Sequence, residues 1–242
     1  MSQSSVLEFI QSEIRQIPPR GELLNERVYR AAVRIVELSG LSGLTLNSLA
    51  AMLHMGSAAL QQRAGDIEAI KDCLTVRALG ELLAQASDAV TGLTGRAALV
   101  ALAQAESDYA RDNPGMHEAA MRCIEERTEE ASRVIQGYRR LQISVLEAYG
   151  IHPRQAPHML HCLRAAILGF IRVERCEPLA RRSEMDESLA MMVSMLDVGF
   201  RLLGHRASET PPRVPPTLES LHLDLDPVAE PGVAFAAVSA GR

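Results

Sequence analysis

The chain has no tryptophan, four tyrosines, four phenylalanines and a single lysine, Lys71, in 242 residues. With aromatics at 3% and hydrophobic residues at 47%, its core must be built from aliphatic side chains and methionine. Alternating Val/Ile/Thr runs are missing, while long stretches carry a 3.6-residue apolar period, so the pattern predicts an all-helical protein. No run of about 18 apolar residues and no signal-peptide pattern appear, and the expectation is a soluble, cytoplasmic protein without a membrane partner. Cys73, Cys123, Cys162 and Cys176 lack CxxC spacing and fall on predicted helices. They read as reduced thiols serving as small core residues.

An excess of positive charge is also lacking: the formal net charge is -5 and the pI about 5.8, which gives no global attraction to nucleic acid. The early arginines (Arg15, Arg20, Arg27, Arg30, Arg34 and Arg63) are roughly matched by neighbouring acids. Any DNA contact must then come from local placement of arginines and helix termini. Glycine-rich phosphate loops, serine nucleophile elbows and paired metal motifs are absent, so no catalytic residue and no cofactor is assigned. His158 and His161 share a helix face with Cys162 and His152 nearby. A metal site needs further ligands and a second shell, so no metal is assigned and the lining of a ligand pocket is the preferred reading. The acids Glu125, Glu126, Glu129 and Glu130 read as a solvated face.

Residues 1–21 read as an arm ended by Pro18, Pro19 and Gly21. A first helix is expected from Glu22 to Ser39, with Leu24, Val28, Ala31, Ala32, Ile35 and Leu38 facing the core and Gly40 stopping it. Thr45 is placed to cap a second helix, Leu46 to Leu53. His54-Met55-Gly56 forms a turn, with Gly56 relieving the backbone, and Ser57 caps a two-turn third helix anchored by Leu60. A fourth helix runs from Asp66 to about Ser87, and residues 88–95 form a break. Further helices fit Arg96–Arg111, Met116–Cys123, Glu126–Tyr149, Gln155–Glu177 and Met185–Gly204. The expected organisation is a helix-turn-helix domain over 22–87, whose fourth helix, 66–87, links to a ligand-binding and dimerisation domain over 88–207, and a proline-rich tail over 208–242.

The unit from Thr45 to Arg63 has the size and small inward residues of a helix-turn-helix, in which the second helix offers its N-terminal side chains to the major groove. An ordinary helical corner fits the spacing equally well. The stretch AAVRIVELSGLSGLTL, then LAAML, then HMGSAAL, with its Gly43-Leu44-Thr45 triplet, resembles the N-terminal domain of TetR-family (tetracycline-repressor-like) transcriptional repressors. A second, weaker similarity to the last two helices of one TetR subgroup lies in RAAILGF (Arg164–Phe170), Val173, Glu174 and the helix Ser188–Leu203. The resemblance implies a homodimer that reads a double-stranded palindromic operator and is released by a small-molecule effector.

Carried over by position, Thr45 would bond a phosphate, and Ser57, Ala58, Ala59, Gln61 and Gln62 would face the major groove, where glutamine can pair with adenine and alanine methyls can touch thymine. Arg63 would grip phosphate. The chain departs from the family after Leu60: Gln61, Arg63 and Ala64 stand where a tyrosine, a histidine and a phenylalanine are usual, and Ile67 stands in place of a lysine. Tyr109, His117, Met121, Tyr138 and His161 are candidates for lining an effector pocket. Ala165, Ala166, Gly169, Phe170, Leu189, Leu196 and Phe200 are candidates for a four-helix dimer interface. Two other readings remain at this level: a TetR-like protein that has lost DNA binding and acts as a protein-interaction module, and a small-molecule-binding helical protein.

Overall fold

Helix α1 (Glu26–Ser39) forms because its apolar residues repeat on one side: Val28, Tyr29, Ala31, Ala32, Ile35 and Val36 are all buried. Leu38, expected as the last rung of that stripe, is instead 72% exposed; it sits at the edge of the buried arc in the final turn, and Val36 takes the inward place. Gly40 ends the helix with a φ of 70°, while its N–H still bonds the Val36 carbonyl. The computed structural model describes residues 26–122, 128–177 and 181–207. The arm with Arg15 and Arg20, Leu24, Cys123, Glu125, Glu126 and the tail from 208 lie outside the described residues.

After a 3-10 turn at Leu41–Gly43 come α2 (Leu46–Met52) and α3 (Ser57–Ala64). They are followed by α4 (Ile67–Val90), α5 (Gly95–Asp112) and α6 (Pro114–Ala120), then α7 (Glu129–Glu147), α8 (Ala156–Cys176) and α9 (Arg182–Ala207). No strand occurs among the described residues, and none of their helices is long and apolar enough to cross a membrane. Asp66 caps α4 by accepting a hydrogen bond from the Ala69 N–H, and α4 runs on past Ser87, so the break narrows to residues 91–94.

Helix α4 is the central column. It packs against α5, α6 and α7, touches α1 and α3, and so carries the two-helix unit on the same apolar core as the C-terminal helices. Cores built from aliphatic side chains need close backbones to fill space. At Gly137 a Cβ would come within 2.9 Å of Leu83 Cδ2. The ion cluster on Arg111 ties three helices: its guanidinium lies 2.7 Å from Glu174 of α8, 2.8 Å from Asp186 of α9 and 3.2 Å from Asp108 of its own α5.

The thiols do not all serve the core. Cys73 is half-buried, but Cys162 and Cys176 are exposed, because α8 buries only Leu160, Leu163, Ile167 and Ile171 within the chain. An apolar helix can look buried all round in sequence while a single chain covers one of its sides.

Candidate nucleic-acid interface and effector cavity

Local chemistry fixes the two-helix unit. The Thr45 hydroxyl accepts from the Ser48 N–H at 3.0 Å, and the Ser48 hydroxyl oxygen accepts from the Thr45 N–H at 2.9 Å, a reciprocal capping box. The expected cap and backbone relief at the next turn are both displaced by one or two residues. Gly56, not Ser57, is the N-cap of α3, and no side chain caps that helix. Gly56 has an ordinary extended conformation at φ -71°; the left-handed residue is His54, at φ 54°. Sequence reasoning assigned the strain to the glycine because glycine tolerates it most easily, whereas histidine also visits this region.

Leu60 is fully buried beneath α3. Ser57, Ala58, Ala59, Gln61, Gln62 and Arg63 are all exposed, as is Thr45 at the start of α2. Ala64 turns inward, and beside it a cavity of about 190 Å³ is bounded by Arg27, Val28, Leu53, Met55, Leu60 and Arg63. Ile67 is half-buried and packed on the core. The chain enters α4 through acids rather than bases: Asp66 is the cap, and Glu68 pairs with Lys71 at 3.0 Å and Arg122 at 2.7 Å.

Helix α6 joins this unit to the rest of the molecule. The Glu37 carboxylate accepts from the N–H groups of Gly115, at 3.0 Å, and Met116, at 2.8 Å, so α1 supplies the cap of α6. In return the Leu41 N–H donates to Glu118 Oε2 at 3.3 Å. Only glycine fits at 115, since a Cβ there would stand 2.2 Å from the Val36 carbonyl oxygen.

The other end of α6 borders a cavity of about 200 Å³ between α4, α6, α7 and α8. Thr75, Leu79, Ala120, Met121, Ile135, Tyr138 and Gln142 line it, together with Arg122, Arg139 and Arg164. Gln142 donates through Nε2 to Glu106 Oε1 at 3.2 Å, while its own Oε1 is buried without a hydrogen-bond partner among the described residues. Glu106 is fully enclosed; burial pushes its carboxyl up, against hydrogen bonds from Tyr138 and Gln142 and the charge of Arg164. Burial and the neighbouring Glu106 also push the Tyr138 phenol up.

Among the expected pocket residues, Met121 and Tyr138 line this cavity and the others lie elsewhere. His161 is on the exposed side of α8. The Tyr109 hydroxyl lies 3.3 Å from both the Ala78 carbonyl and Glu81 Oε2, and Tyr29 donates to Glu81 Oε1 at 3.2 Å. This junction fastens α1, α4 and α5 together and explains the burial of Tyr109 without a ligand. His117 is buried within α6, and desolvation, with the charge of Arg175, lowers its pKa from 6.5 to about 4. Arg122, Arg139, Arg164 and Gln142 were missed in the sequence because polar residues on a helix ordinarily read as its solvated side. No group of three or more potential metal ligands occurs among the described residues.

The interface candidates divide. Ala165 and Gly169 are exposed on α8, and Ala166, Phe170 and Leu196 are half-buried. Leu189 and Phe200 are only 2% and 3% exposed because they pack into the chain's own core, Phe200 edge-to-face with Tyr149. The apolar face that α9 leaves open is Met191, Met195, Val198 and Leu202. Both stripes have helical spacing, and periodicity alone does not say which one points inward.

Residues 99–196 match the tetracyclin repressor-like C-terminal domain. An uncharacterised helix-turn-helix transcriptional regulator of Bacillus subtilis, YobS, is 29% identical over 177 residues, 72% of this chain and 91% of the relative. Solved structures of similar fold include a TetR regulator from Streptomyces coelicolor, with TM-score 0.56 and 18% identity over 75% of this chain and 99% of the other. A TetR variant from Acinetobacter baumannii AYE, determined in complex with minocycline, has TM-score 0.54 and 21% identity over 74% and 98%. The domain match over residues 99–196, the relative spanning most of the chain and the shared helical architecture make this protein similar to tetracyclin repressor-like helix-turn-helix transcriptional regulators and give it their all-helical fold.

Proposed function

We propose that the protein is a ligand-responsive repressor that binds a palindromic operator as a homodimer and is released when a small molecule occupies the cavity beside α6. One observation carries the reading: α6 holds the reading head at its N-terminal end, through Glu37 and Gly115, and borders the cavity at its C-terminal end, through Ala120 and Met121. A molecule that fits the cavity best with α6 displaced would favour a head position that mismatches the operator. Such a ligand shifts the equilibrium only by its differential affinity for the two states. The domains expected over 22–87 and 88–207 then have the roles of reader and sensor, and the open face of α9 with the small residues of α8 supports a four-helix interface between two copies.

On the DNA, α3 would present Ser57, Ala58, Ala59, Gln61 and Gln62 to base edges, with Thr45 and Arg63 on phosphates. The inward Ala64 and the packed Ile67 favour a second reading, a TetR-type protein whose α3 no longer binds DNA and serves as a protein-interaction module. A gel-shift titration of the full chain on its own upstream region, repeated at several salt concentrations, separates the two. Specific binding that is lost with Gln61→Ala plus Gln62→Ala, with oligomeric state unchanged, supports the repressor. No specific complex at low salt refutes it and leaves the interaction module. Release of the operator by a cavity ligand tests the sensor role.

A further inference from the structure

The three arginines around the cavity are not equivalent. Arg122 is engaged by Asp72 and Glu68, whereas Arg139 and Arg164 have no carboxylate within 4 Å among the described residues. Arg164 is half-buried and Arg139 exposed, so both stand at the mouth, with Tyr138, Gln142 and Leu79 buried behind them. Inside, the two hydroxyls and one N–H of the Gln142 amide already have acceptors. The Thr75 hydroxyl donates to the Lys71 carbonyl at 2.9 Å, Tyr138 is hydrogen-bonded to Glu106, and the Gln142 amide donates to Glu106. Of the lining side chains, the buried polar atom without any partner among the described residues is Gln142 Oε1.

We infer that the effector is a small organic acid that also carries a hydroxyl or N–H donor: its carboxylate meets Arg164 and Arg139 at the mouth, its donor meets Gln142 Oε1 inside, and its apolar body lies on Leu79, Ile135 and Met121. This rests on the reading of the cavity as the sensor site. The planar guanidinium fork matches a carboxylate in two parallel hydrogen bonds, and an unpaired buried acceptor selects for a ligand that supplies the missing donor. A volume of about 200 Å³ holds a single ring or a short chain, since a cavity of roughly 150 Å³ already accepts benzene. The nearest buried carboxylate, Glu106, is outside the cavity lining, behind Gln142 and Tyr138, which are hydrogen-bonded to it.

The test is calorimetric titration of the full-length protein with 2-, 3- and 4-hydroxybenzoate, benzoate, and the three hydroxybenzamides as neutral isosteres. At least one hydroxybenzoate is expected to bind saturably, about tenfold or more tighter than its amide, the scale of one charge-assisted hydrogen bond. Benzoate, lacking the donor, is expected to bind less tightly than that hydroxy acid. Arg164→Gln should remove most of the preference for acid over amide, and Arg139→Gln, at an exposed position, should reduce it with the melting temperature unchanged. Amides binding as well as acids, an unaltered preference in both variants, or no acid binding at millimolar concentration would each overturn the inference. The acid site and the sensor role fail separately. An acid that binds as expected yet leaves a protein–operator complex intact refutes the sensor and keeps the site, while release by the amide alone does the reverse.

Discussion

Replacing Gly115 by alanine should loosen the joint between the N-terminal helices and the cavity. The new Cβ would stand 2.2 Å from the Val36 carbonyl oxygen and 2.7 Å from the Glu37 nitrogen, where carbon and oxygen ordinarily approach to about 3.3 Å. Both obstructing atoms are backbone, so no side-chain rotation relieves the overlap, and α6 must withdraw from α1 by roughly 1 Å. Overpacking of this kind costs about 1–3 kcal/mol, and drawing the Gly115 and Met116 N–H groups away from Glu37 adds the loss of a helix cap, about 1 kcal/mol. The expected total is about 2–4 kcal/mol, which for a domain of this size lowers Tm by roughly 5–15 °C. Urea and thermal unfolding of the variant measure it. Glu37→Ala alone should cost about 1–2 kcal/mol, and the double variant less than the sum, because the first change has already weakened the bond the second removes. A Gly115→Ala protein that melts with the parent, or strictly additive effects, would refute the description of this joint.

Three further outcomes are expected. His54→Gly should raise stability by up to about 1 kcal/mol, by removing a left-handed non-glycine residue, while Gly56→Ala should lower it by no more than about 1 kcal/mol, since a Cβ there meets nothing within 4 Å and only the N-cap preference for glycine over alanine is lost; urea midpoints decide both. His117 is held neutral, its pKa lowered to about 4, while the unfolded chain takes up that proton near 6.5. The folded state therefore keeps this contribution above pH 6.5 and loses it as pH falls toward 4, by at most about 1.4 kcal/mol per pH unit. His117→Gln should flatten that limb of the stability–pH curve, and an unchanged limb would place the effect in another group. Met195→Glu, on the open face of α9, should convert the proposed dimer to a monomer by light scattering with the helical signal retained. A variant that remains dimeric would move the interface elsewhere.

Much of the fold is legible in the chain because its signals are local. Thr45 and Ser48 form a cap with each other, Gly40 ends α1, and Leu49 and Leu60 mark the inward sides of α2 and α3. Less legible is whatever depends on a partner distant in sequence. Tyr109 resembles a pocket residue until Glu81, on the preceding helix, explains its burial. Arg164 resembles a surface residue until α7 and α4 close a cavity beside it. Leu189 and Met191 stand two positions apart on one helix, and only the packed bundle decides that the first faces the core and the second faces out. The exposed residues of α3 follow directly from the position of Leu60, so the candidate reading surface was traceable in sequence while the cavity's polar lining was not.

Helix α6 has seven residues, and a helix that short has no stability of its own in water. Its first turn is held by a carboxylate from α1, and its path depends on a glycine pressed against the α1 backbone. The cavity wall at Ala120 and Met121 is therefore partly the product of the α1 helix that holds the other end of α6. A fragment cut free of α1 would lose that scaffold, and a binding constant measured on it would describe a different wall. In this chain the cavity cannot be separated from the N-terminal helices and keep its shape.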